Sequence, residues 1–120
     1  MLNFSAIPRH AVAGRALRLP LRLIPRSLVV PILQGPLRGA RWIVGSATHG
    51  CWLGCYERAK QQAFVRILAP GQVVYDVGAN VGFYTLLAAR RVGPTGEVHA
   101  FEPGAENLEF VWGQGWNDMQ

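Results

Sequence analysis

The first 56 residues contain no acidic side chain. They carry seven arginines, a local charge of +7, whereas all seven carboxylates lie from Glu57 onward against five basic residues, which leaves −2 there. A basic arm can serve nucleic acid, an acidic membrane surface or organelle targeting. Further absences weigh against each. Residues 1–34 hold no uninterrupted apolar run of the roughly 7–15 residues that a signal-peptide core needs, and no run there approaches the ~20 residues of a membrane span. No aromatic-interleaved RNA motif accompanies the arginines. Pro8, Pro20, Pro25, Pro31 and Pro36 break the segment too often for a long amphipathic helix. An Arg/Pro-rich lead-in over residues 1–40, poorly ordered or lid-like, is expected, with no nucleic acid partner and no membrane span.

Cysteine is equally sparse. Cys51 and Cys55 are the only two, and C-x-x-x-C matches neither a zinc-knuckle nor a redox spacing. His49 does not complete a metal site, so no metal is expected. Two ordinary thiols suit a reducing cytoplasm, the compartment expected for this chain. At 120 residues, half of them hydrophobic and 16% charged, the chain reads as one globular domain at most.

What is present is concentrated after residue 40. Short apolar runs at residues 41–44 and 51–53, separated by a segment bounded by Gly45 and Gly50, predict a β-hairpin over residues 41–56. Residues 57–69 predict a helix, with Ala59, Ala63, Phe64, Ile67 and Leu68 on one stripe, ended by Pro70 and Gly71. Val73–Val77 is an apolar, β-branched run, the pattern of a strand buried on both faces of a parallel sheet. A glycine-rich turn follows, then a helix capped by Asn80 and stopped at Gly93 and Pro94. Glu97–Phe101 predicts a second strand. Ala105, Leu108, Val111 and Trp112 predict a further helix, and residues 113–120 an irregular tail.

Strand, glycine turn, helix and strand, with a carboxylate near the tip of each strand, is how a Rossmann-like unit builds a nucleoside pocket. Gly78 and Gly82 let the backbone approach a ligand. The helix N-terminus presents unpaired N–H groups. Glu102, at the end of the second strand, can accept hydrogen bonds from ribose hydroxyls. A dinucleotide would demand glycine where Asn80 stands, and Asp76 would place negative charge beside its pyrophosphate. S-adenosylmethionine has no phosphate, and its sulfonium and ammonium groups are cationic, so the charge favours the methyl donor.

The run DVGANVGFYT followed by GEVHAFEP resembles the FkbM-type family of S-adenosylmethionine-dependent methyltransferases over roughly residues 40–111. The resemblance implies an α/β, Rossmann-like class I methyltransferase fold, here its opening portion over residues 57–112: helix, strand, helix, strand, helix. It also implies O-methylation of a hydroxyl on a sugar or other small molecule. Asp76, Gly78, Ala79, Asn80 and Gly82 match the first cofactor motif, and Glu102 the ribose-binding acid. The family's later strands have no match, so the fold is expected to be truncated after the second strand and its following helix, unstable alone and weak in cofactor binding. No residue is assigned as catalytic: His49 and His99 are weak candidates for a base, and Tyr56 and Glu57 for lining the methionine end. Two other readings stay open, a short non-catalytic nucleotide- or partner-binding protein and a dinucleotide-dependent oxidoreductase.

Overall fold

Alternation and punctuation decide the second half of the chain, and long-range pairing decides the first. A computed structural model of the chain describes residues 20–113. The expectations for residues 1–19 and for the tail beyond residue 113 lie outside the described residues.

The lead-in is built into the core from residue 20 onward. After a 3₁₀ turn at Pro20–Leu23 comes β1 (Val29–Pro31), which pairs antiparallel with β2 (Arg41–Ile43) in the register Val29↔Ile43, Val30↔Trp42 and Pro31↔Arg41. The expected hairpin over residues 41–56 is therefore corrected: β2 takes its partner from upstream, and residues 51–53 fall in a short helix, α1 (His49–Leu53). A three-residue apolar run fits a strand or a buried helical turn equally well, and Gly54 settles it. At φ 77° Gly54 ends α1 in the left-handed region, its N–H bonded to Cys51 O. Ile32, Leu37, Trp42, Val44, Cys51 and Trp52 then share one buried cluster with Val81, Phe83, Leu86 and Leu87. Lead-in residues 20–40 thus contribute to the core, where a poorly ordered or lid-like segment was expected, because the prolines fall at element ends (Pro20, Pro31) or in the connections between elements (Pro25, Pro36) and leave Ile32 and Leu37 free to pack inward.

The second half follows the expected order. α2 (Arg58–Ile67), β3 (Val73–Val77), α3 (Phe83–Val92), β4 (Glu97–Phe101) and α4 (Ala105–Gly113) succeed one another. β3 and β4 are parallel, in the register Val73↔Glu97 through Val77↔Phe101. That is a βαβ unit with α3 as its crossover, and α3 packs on both strands. Arg91 of α3 donates through Nε to the carbonyls of Val65 (3.0 Å) and Leu68 (2.9 Å), satisfying orphan groups at the end of α2. Trp42 meets Phe83, the first residue of α3, edge-on at 5.5 Å. An aromatic pair of this kind is worth about 0.5–1.5 kcal/mol beyond its buried area, and it ties the N-terminal layer to the βαβ unit.

One expectation about the strands is corrected. β3 is covered on one face only. Val74 and Asp76 point toward α3, whereas Val73, Tyr75 (66% exposed) and Val77 (81% exposed) face outward beside His99 and Phe101. Tyr75 stacks on His99 with ring centroids 5.1 Å apart. Among the described residues the two strands pair only with each other. The sequence pattern was that of a two-faced strand; a single helical layer covers one face and leaves the other apolar and open.

Candidate functional site

The turn after β3 is shaped by where its N–H groups go. Gly78 and Ala79 both donate to the carbonyl of Phe101, at 2.8 and 3.1 Å, which folds the turn back over the tip of β4. Asn80 then adopts φ 52°, a left-handed conformation that asparagine tolerates better than most residues. Its N–H donates to Glu102 Oε2 at 2.8 Å. Gly82 donates to Ala79 O and accepts from Leu86 N–H as the N-cap of α3. Asn80 is therefore not the helix cap that its type suggested; it belongs to the turn, two residues earlier.

The glycines do different work. Gly78 has φ 79°, and a Cβ built on it would meet nothing within 4 Å, so among the described residues no packing requires its bareness. The space it faces is open among the described residues. Gly82, at φ 89°, is buried, and a Cβ there would come 3.1 Å from Val111 Cγ2 and 3.2 Å from Val111 Cα. Its bareness serves the seating of α4.

Glu102 closes the turn. Oε2 accepts from Asn80 N–H, and Oε1 accepts from Gly104 N–H at 2.8 Å and from Asn107 Nδ2 at 3.2 Å. The Gly104 N–H, then Asn107 and Asn80, hold this carboxyl below its ordinary value. A carboxylate with a depressed folded value stabilises above its unfolded value and stops doing so as pH falls through the folded one. The clasp is therefore expected to release on acidification only below the ordinary glutamate range. The amide shifts of Asn80 and Gly104 would titrate together there; titration at or above the ordinary value would contradict the clasp.

Asp76 lies on the α3 side of β3, and its Oδ2 accepts from Thr85 Oγ1 at 2.5 Å. Three successive residues in the first turn of α3 each hold a partner: Phe83 packs on Tyr56 (5.2 Å), Tyr84 donates to Glu57 Oε2 (2.9 Å), and Thr85 donates to Asp76. Glu57 sits at φ 41° as the residue preceding α2, paired also with Lys60. Lys60 first, then Tyr84, lower the Glu57 carboxyl, while burial and then Glu57 raise the Tyr84 phenol. Tyr56 and Glu57 thus join the βαβ unit at the start of α3.

The histidines are placed elsewhere. His49 Nδ1 accepts from Trp52 Nε1 at 3.1 Å, a helical i,i+3 contact. His99 lies on the open face of the sheet, 3.2 Å from Glu97 Oε2, whereas Asp76 is on the covered face. Thr85 and Asn107 escaped sequence reasoning because each meets its carboxylate only through the fold, nine and five residues away. Among the described residues no three His, Cys, Asp or Glu side chains group as metal ligands, and no helix is long and apolar enough to cross a membrane. No family model matches the chain, and no solved structure matches it.

Proposed function

We propose that this chain carries the nucleoside end of an S-adenosylmethionine site and belongs to a methyltransferase acting on a hydroxyl of a sugar or other small molecule. The observation that carries the reading is the pairing of Glu102 with the Gly78 turn. A carboxylate at the tip of β4 is clasped to Asn80 beside backbone that has no side chain and open space above it. Glu102 would accept from the ribose, Gly78 would admit the ligand against the main chain, and Asp76 would set a negative potential at the turn. When bound, the cofactor supplies a methyl group on a sulfonium; its transfer to an acceptor oxygen breaks C–S, forms C–O and releases the hydroxyl proton. The residues described here bind and orient, and alignment of that kind can supply up to roughly 7–11 kcal/mol of the barrier in well-oriented cases.

Asp76 and the left-handed Asn80 count against a dinucleotide, since the first repels pyrophosphate and the second stands where bare backbone is needed. The open face formed by Tyr75, Val77 and Phe101 favours a second reading, a non-catalytic chain that binds a protein partner.

Competition separates the readings. With S-adenosylhomocysteine and NAD offered to the full chain, saturable binding of the first and none of the second is expected, followed by ligand-observed NMR because affinity will be weak. NAD displacing S-adenosylhomocysteine would overturn the methyl-donor reading. Binding of neither would leave the partner-binding reading standing.

A further inference from the structure

A carboxylate offers about four lone-pair directions, two on each oxygen. In Glu102 three are already taken among the described residues. Oε1 accepts from Gly104 N–H and from Asn107 Nδ2, and Oε2 accepts from Asn80 N–H. The identity of the Asn107 donor is fixed chemically: an ionised carboxylate only accepts, so the amide nitrogen must face it. These three donors orient the carboxylate. A Cβ on Gly104 would lie 2.9 Å from Oε1 and 3.2 Å from Asn107 Nδ2, so the β4–α4 turn is wrapped closely around this oxygen. Asn107 is itself held in place, because its N–H bonds to Gly104 O at 3.0 Å as α4 begins.

We infer that Asn107 is a positioning residue that fills Oε1 of Glu102 and leaves one accepting direction, on Oε2, so that the site grips one ribose hydroxyl rather than both. The inference rests on the nucleoside reading above and adds to it a rule of selectivity. The two ribose hydroxyls are then unequal: one donates to Glu102, and the other contributes nothing through this carboxylate. Removing the Asn107 amide frees the second direction on Oε1 and makes the second hydroxyl count.

The test compares S-adenosylhomocysteine with its 2′-deoxy and 3′-deoxy analogues on the full chain by NMR titration. For the unaltered chain, one analogue is expected to bind within about twofold of the parent. The other should bind about tenfold or more weakly, the effect of losing a hydrogen bond to a charged group. In Asn107→Ala, the formerly silent analogue should become several-fold weaker than the parent as well. Equal weakening by both deletions in the unaltered chain would overturn the inference while leaving the nucleoside site intact, and so would no effect of either. An Asn107→Ala chain that keeps one hydroxyl silent would also overturn it. Absence of any binding by S-adenosylhomocysteine would sink the nucleoside reading and this inference together. The comparison on the unaltered chain decides the matter even where the variant does not fold.

Discussion

Gly54→Ala is expected to unfold the N-terminal layer, and Gly39→Ala is not. Both glycines sit at positive φ, 77° and 86°. An alanine forced into that region costs roughly 1–2 kcal/mol at either position. At Gly39 a Cβ would meet nothing within 4 Å, so the cost stops there. At Gly54 a Cβ would overlap the carbonyl oxygen of Gln34 and come within 2.7 Å of its carbonyl carbon. Those atoms are backbone and cannot rotate aside. Overpacking of this kind adds about 1–3 kcal/mol or more. A total of roughly 2–5 kcal/mol is a large share of the whole stability of a small domain, about 5–15 kcal/mol. Trp42 and Trp52 lie in the affected cluster, so their fluorescence in a urea titration reports the loss. Equal midpoints for the two variants would show that α1 does not seat against Gln34 as described.

The second large effect is at Glu102, where even the isosteric Glu102→Gln is expected to abolish measurable S-adenosylhomocysteine binding. All three neighbours of the carboxylate are donors: Asn80 N–H on one oxygen, Gly104 N–H and Asn107 Nδ2 on the other. A glutamine accepts at one end only and turns an NH₂ group toward a backbone N–H at the other. Asn107 can flip its amide to answer the new donor, but Asn80 N–H and Gly104 N–H cannot. Either orientation therefore sets two donors face to face and opens the turn. Losing a charge-assisted hydrogen bond costs about 1.5–3 kcal/mol, on the order of ten- to a hundred-fold in affinity. Glu97→Gln is the control, since Glu97 lies exposed beside His99 at the other end of β4. Retained binding in Glu102→Gln, at the strength of Glu97→Gln, would remove Glu102 from the site.

How much of this was legible in the sequence differs between the two halves. Val73–Val77 and Glu97–Phe101 emerge with their expected limits, because β-branched runs fenced by Pro-Gly and Gly-Pro pairs leave few alternatives. The helix expected over residues 57–69 is present as Arg58–Ile67, shortened because Glu57 turns left-handed and Leu68 becomes extended. The hairpin failed because strand pairing is a tertiary choice. Arg41–Ile43 could find its partner on either side, and the upstream strand Val29–Pro31 lies in a lead-in whose composition predicts a poorly ordered or lid-like segment. At the turn, spacing alone predicts that Asp76, Gly78, Asn80 and Glu102 lie near one another at the strand tips, and the structure brings Asn80 and Glu102 into contact across 22 residues. The different tasks of Gly78 and Gly82 were not legible, since only the position of Val111 distinguishes an open glycine from a packed one.

On the proposed reading, the turn between β3 and α3, together with Glu102, forms a nucleoside site. A ¹⁵N-resolved NMR titration of the full chain with S-adenosylhomocysteine tests it most directly. The expected result is saturable shifts centred on Asp76, Gly78, Ala79, Asn80 and Glu102, with Tyr75 and His99 on the opposite face of the sheet unmoved. Shifts confined to that open face, or none across the Gly78 turn at saturating ligand, would contradict it.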